Sequence, residues 1–242
     1  KQLYREMTET EDEAEKRRLE EYLRNQIRPG SIDVNIMTKL DRENFDQDSL
    51  VIKDGSDAVA SLRGYVNSDL DGSSIVFSAG MNPRLFNYME QCSQFEMRED
   101  GSFSKKVVLK VSDFRSALIQ GKYLAKKGIW VSEFRIESGL NCGGHAFATD
   151  GFLLGPILED FKSGKQELLD SLFEIYSAAQ LKKNNRTITA IPPVLFSVQG
   201  GIGTAAEDQF LHHHYEIGTT GWGSPFLLVP EATTVDEETL QL

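Results

Sequence analysis

Cysteine is almost absent, with only Cys92 and Cys142 in 242 residues. Two thiols so far apart in sequence cannot form a disulfide framework, and a reducing cytoplasm is the expected compartment. Long apolar runs are missing too. No stretch approaches the roughly 20 residues that cross a bilayer as a helix, and no signal-peptide pattern opens the chain, so no membrane partner is expected. Positive charge is scarce, 26 Lys and Arg against 37 Asp and Glu, for a formal net charge of -11. That balance argues against a nucleic-acid partner, because clustered Lys and Arg are what release counterions from phosphates. The pairs Lys105-Lys106, Lys126-Lys127 and Lys182-Lys183 read as solvated surface charge. Metal spacing is lacking as well: His212-His213-His214 points three ways on a helix, no HExxH occurs, and no metal is expected. No GxGxxG follows a strand pattern, which disfavours an open dinucleotide-binding sheet.

What is present is a chain 40% hydrophobic and 10% aromatic, suited to one domain over residues 1–242 with a sizeable core. It opens at Lys1 without an initiator Met and enters a polar helix, which predicts a fragment or a processed chain. Sparse apolar residues among dense charges predict one helix over 2–28. Strands are expected at 31–39, 73–79, 106–111, 129–137, 188–198 and 216–222. Helices are expected at 58–66, 84–90, 113–127, 152–181 and 204–214. Strands alternating with helices indicate βαβ units and a parallel sheet. Gly, Asn or Ser follows most strands: Asn35, Gly80, Gly139, Gly200-Gly201 and Gly223-Ser224. A (β/α)8 barrel puts its active site at that end, whereas a doubly wound sheet would cluster glycines after its first strand. The barrel is therefore the expected fold.

Two loops carry the candidate chemistry. Gln199-Gly200-Gly201-Ile202-Gly203-Thr204 joins the strand PPVLFSV to a helix. Backbone N–H groups free of side chains at a helix N-terminus favour an anion, and the Gly223-Ser224 turn would supply the other half of a phosphate site. Either loop alone is also an ordinary glycine turn. Asn141-Cys142-Gly143-Gly144-His145 follows the strand IWVSEFRIES. His145 has a near-neutral reference pKa that suits proton transfer, although a loop histidine is more often a hydrogen-bonding group in a structural role. Cys142 has no assignable partner and reads as a small residue packed near a ligand. Lys110, near the end of its strand, reaches either a ligand in the barrel mouth or solvent.

The stretch Glu137-Ser138-Gly139 through Cys142-Gly143-Gly144-His145, followed by Leu153-Leu154-Gly155-Pro156-Ile157, resembles the nitronate monooxygenases and the flavin-dependent enoyl reductases. Further on, Pro193–Ile202 is similar to that family's strand and flavin-phosphate glycines, and Gly223–Leu227 with Pro230-Glu231-Ala232 to its last strand. Asp33-Val34-Asn35 and Ser74–Gly80 resemble earlier strands, so the likeness covers residues 30–235. It implies a TIM barrel that binds FMN, with His145 as the base beside the flavin. It also implies Gly200, Gly201, Gly223 and Ser224 at the phosphate, and Asn35, Lys110, Gly143 and Gly144 along the isoalloxazine. The family has an acidic and a small residue before Gly-Gly-His; here Asn141 and Cys142 stand there, and Trp222 and Pro225 are also unusual. Two family strands would precede residue 32, so this chain is expected to lack the first strands, which another segment or a second copy would complete.

The resemblance implies an FMN-dependent oxidoreductase acting on a small carbon acid such as a nitronate. The alternatives are an NAD(P)H-dependent enoyl reductase and a flavin-free lyase or isomerase holding a substrate phosphate on the same loops. A non-catalytic scaffold subunit is a further reading.

Overall fold

The computed structural model describes residues 2–27, 30–36, 41–77, 81–138 and 153–222. The chain divides into two compact units, residues 1–32 and 33–242. The first holds helices α1 (Gln2–Glu9) and α2 (Glu13–Gln26) rather than one helix over 2–28. Asp12 makes the break. Its backbone is extended, and its carboxylate accepts from the N–H groups of Ala14 and Glu15, capping α2 from outside the helix.

The second unit runs β1 (Asp33–Ile36), α3 (Asp57–Val66), β2 (Ser73–Phe77), α4 (Pro83–Met89), β3 (Lys105–Val111), α5 (Phe114–Lys126), β4 (Glu133–Ile136), α6 (Leu154–Asn184), β5 (Leu195–Gln199), α7 (Ala205–Tyr215) and β6 (Thr219–Gly221). The six strands are all parallel and lie in the order β1-β2-β3-β4-β5-β6. A doubly wound sheet reverses its order midway; this one never does. Right-handed crossovers in one direction put the connecting helices α3 to α7 on the same face and leave the other face to curl inward.

The curl is visible in one contact. Arg135 of β4 reaches Asp33 of β1 at 2.7 Å, although β2 and β3 lie between them. Strands spaced about 4.8 Å apart would put β1 and β4 about 14 Å apart in a flat sheet, beyond an arginine's reach. The sheet is a curled half-barrel, and a closed eight-stranded barrel goes beyond these six strands.

Four ladders start later than the sequence pattern predicts, β1 and β6 by two or three residues and β4 and β5 by more. Pro192 and Pro193 lack an N–H, so the ladder does not run through them and β5 begins at Leu195. Residues 129–132 lead into β4 with Ile129, Trp130 and Val131 buried, and pairing begins at Glu133. Caps agree with the sequence signals. The Asn82 side chain accepts from Leu85 N–H ahead of Pro83, Asp113 accepts from Ser116 N–H, and Gly128 takes φ +74 after α5.

Side chains alternate along each strand. Ile75, Phe77, Val107, Leu109, Val111, Phe134, Ile136, Phe196 and Val198 are buried against the helices. There Phe77 meets Phe86 edge-on, and Phe161 of α6 meets Phe196. Burying each such side chain contributes about 1.5–3 kcal/mol. Helices α5 and α6 approach closely where they lack side chains. A Cβ on Gly164 would lie 2.4 Å from the Phe114 ring, and one on Gly121 2.9 Å from Leu172. At the amino end of the sheet Lys105 is buried. Its ammonium donates to Ser68 O, Ser68 Oγ and Leu70 O and lies 4.7 Å from the centre of the Tyr65 ring. Burial depresses its pKa against the pull of Asp71 and Asp69.

Candidate functional site

The residues that alternate with the core set face the concave side, and many are charged. Along β4 these are Glu133 and Arg135, with Glu137 directly after it; along β5 they are Ser197 and Gln199. Between them the concave floor is apolar, with Val76 and Val108 buried.

Two polar clusters stand on this floor. In the first, Arg135 is held between Glu133 at 2.8 Å and Asp33 at 2.7 Å, and the Ser197 hydroxyl donates to Glu133. Burial works against the guanidinium charge, but hydrogen bonds and attraction from Glu133 and Asp33 outweigh it and raise its pKa. The second cluster lies at the carboxyl ends of β3, β4 and β5. Lys110 Nζ is 3.0 Å from Glu137 Oε2, and Gln199 Nε2 donates to the same oxygen at 2.6 Å. The Glu137 N–H is tied to Val111 O at 2.9 Å, which fixes its backbone on the sheet. The Lys110 side chain is 20% exposed and that of Glu137 10%, so the pair is largely but not wholly withdrawn from water. Lys110 therefore presents an ion-paired ammonium at the concave mouth, not a free one.

Beside this cluster β5 runs into the glycine turn. Gly200 and Gly201 take φ +81 and +71, a backbone that residues with a Cβ rarely adopt. Gly200 N–H is spent on the sheet, donating to Gly221 O at 3.3 Å. Gly201 is exposed, and no described residue accepts from its N–H. The donors at Gly203 and Thr204 are occupied. Thr204 and Glu207 form a capping box at the start of α7, and the Glu207 carboxylate takes the N–H groups of Gly203 and Thr204, both at 2.9 Å. Hydrogen bonds from Gly203 N–H and from Thr204 lower the Glu207 pKa. A carboxylate thus already sits at the helix end where a phosphate was expected. Gly201 and its neighbours remain able to hold one oxygen of such a group, so the turn fits a phosphate in part.

Of the residues expected at the flavin, Lys110 is linked through Glu137 to Gln199, the residue before Gly200-Gly201. Asn35 lies in β1, exposed, one residue from that strand's end. Gly80, Gly139, Cys142, Gly143, Gly144, His145, Gly223 and Ser224 lie outside the described residues. The triple histidine diverges: His212 Nδ1 is 2.6 Å from Ile217 O, His213 Nδ1 2.8 Å from Gln209 O, and His214 stacks on Phe210. The sequence reading passed over Glu137 and Gln199 as site residues, and over the Asp33–Arg135–Glu133 cluster. A signal was available, since the charges Glu133, Arg135 and Glu137 alternate with the apolar Phe134 and Ile136.

Compared with protein-family models and with curated proteins, the chain matches none.

Proposed function

We propose that this chain is an FMN-dependent oxidoreductase resembling the nitronate monooxygenases, acting on a small carbon acid. The observation that carries the reading is the meeting of three strand ends: Lys110, Glu137 and Gln199 converge beside the positive-φ Gly200-Gly201 turn. Barrel enzymes assemble their sites at that end of the strands and commonly hold phosphates there. In this reading Gly201 holds a phosphate oxygen, together with Gly223 and Ser224. Lys110, kept in place by Glu137, lies along the ring system with Asn35, Gly143 and Gly144. His145 takes the proton from the substrate carbon, as a base near neutral pH does. The flavin, when bound, supplies the acceptor for the electron pair left on that carbon.

The visible spectrum of the purified full-length protein tests this. Flavin absorbance is expected, and Gly201→Asp, which sets a like charge and bulk at the phosphate, should remove it while the circular dichroism stays unchanged. A colourless, folded protein that takes up no added FMN would sink the reading and favour the flavin-free barrel. Flavin content undiminished in Gly201→Asp would move the phosphate elsewhere.

A further inference from the structure

We propose that the groove between α5 and α6, on the outside of the sheet, docks an acidic amphipathic helix from a partner protein. The groove is open and encloses about 790 Å³. Its floor is Ile119 and Tyr123 from α5 and Ile175 and Ala178 from α6. Ile119 is 50% exposed, high for an isoleucine in mid-helix. Small residues at Ala178 and Ala179 leave the depression that a larger side chain would fill.

Both walls are helical stripes. Ile119, Lys122, Tyr123 and Lys126 follow i, i+3, i+4, i+7 spacing; Ser171, Glu174, Ile175, Ala178 and Lys182 do the same on α6. At a rise of 1.5 Å per residue the longer stripe extends about 16 Å, three turns of a guest helix. Below the groove the walls are locked together, with Leu172 packed on Gly121 and Gln180 donating to Gly128 O at 2.8 Å. The surface is therefore rigid before anything binds, which lowers the ordering cost of association.

Charge identifies the occupant. Lys122, Lys126 and Lys182 rim the groove, with Glu174 the one acidic residue lining it. Among the described residues none of these lysines forms an ion pair. Their neighbours behave differently: Lys127 pairs with Glu90 at 2.7 Å and Lys183 with Glu96 at 3.6 Å. A chain of net charge -11 thus keeps unpaired lysines around an apolar strip. An apolar stripe flanked by Asp and Glu complements that strip on both counts. A second copy docking groove to groove does not, because a two-fold interface would set these lysines against themselves.

Two labelled 18-residue helical peptides test the proposal, sharing one leucine stripe and flanked by Glu in one and Lys in the other. Anisotropy is read against the full-length protein. The acidic peptide should saturate with Kd on the order of 10–100 μM, as expected for a small transient interface, and weaken with salt. Lys122→Glu/Lys126→Glu/Lys182→Glu should weaken it at least about tenfold, the loss of about 1.4 kcal/mol. Ala178→Trp, which fills the groove, should do likewise, with both variants keeping the wild-type Tm. Equal binding of both peptides, no saturation, or indifference to both variants overturns the proposal. So does self-association in sedimentation that Ala178→Trp abolishes, which would make a second copy the occupant.

Discussion

Tyr176 is fully buried, its ring 5.1 Å from that of Trp130, and among the described residues its hydroxyl has no hydrogen-bond partner. Burial pushes the phenol up to about 12, against the pull of Arg186. A buried hydroxyl without a partner costs about 1–3 kcal/mol in desolvation. Tyr176→Phe should therefore leave stability to urea unchanged or raise it by about 1 kcal/mol. The pH dependence has a definite sign. With its pKa raised on folding, the phenol's contribution is present below the ordinary value of 10.0 and is lost as pH climbs toward about 12. Wild type should lose more stability than Tyr176→Phe across that window; parallel curves would show that burial does not raise the phenol, and a variant weakened by more than about 1 kcal/mol would show that the hydroxyl is bonded. At this scale the sequence told unevenly. Asn82, Asp113 and Thr204 cap their helices with side chains that carry the local signal themselves, each standing just before an apolar period. Glu137 does not carry its own, because a carboxylate's worth depends on Lys110 and Gln199, which come from other strands.

At the scale of elements, apolar alternation located the six strands and their order followed from the βα rhythm. Ladder ends were less legible. Pro192-Pro193 and the lead-in at residues 129–132 look apolar enough for strand, yet hydrogen bonding decides where pairing starts. The start of α7 shows a further limit. The glycines before it were read as a free anion site, but Glu207 lies one turn inside the helix and folds back onto Gly203 and Thr204. A phosphate at the turn must meet or displace that carboxylate. Glu207→Gln keeps an acceptor for the cap and removes the charge. FMN titrated into this variant should bind several-fold tighter, with a stability loss of about 0.5 kcal/mol. Weaker binding would mean that the carboxylate helps to shape the site.

At the scale of the molecule, the half-barrel is held in its curve by a contact between residues 102 apart in sequence, Arg135 donating to Asp33. Arg135→Ala would strand Asp33 and Glu133 without their cation. Since the cluster is partly exposed, the loss should be about 2–3 kcal/mol, at or below the low end for a buried pair. Hydrogen exchange should speed up in β1 more than in β5; uniform exchange would show that the pair does not hold the edge strand. The same contact bears on how the chain assembles. Each strand pairs with its sequence neighbour, so the sheet can grow one βα unit at a time as the polypeptide leaves the ribosome. The Asp33–Arg135 bond must wait until the fourth strand has been made. Until then β1 has only its β2 ladder among the described strands, and a nascent chain halted before residue 133 would carry a straighter sheet with a looser β1.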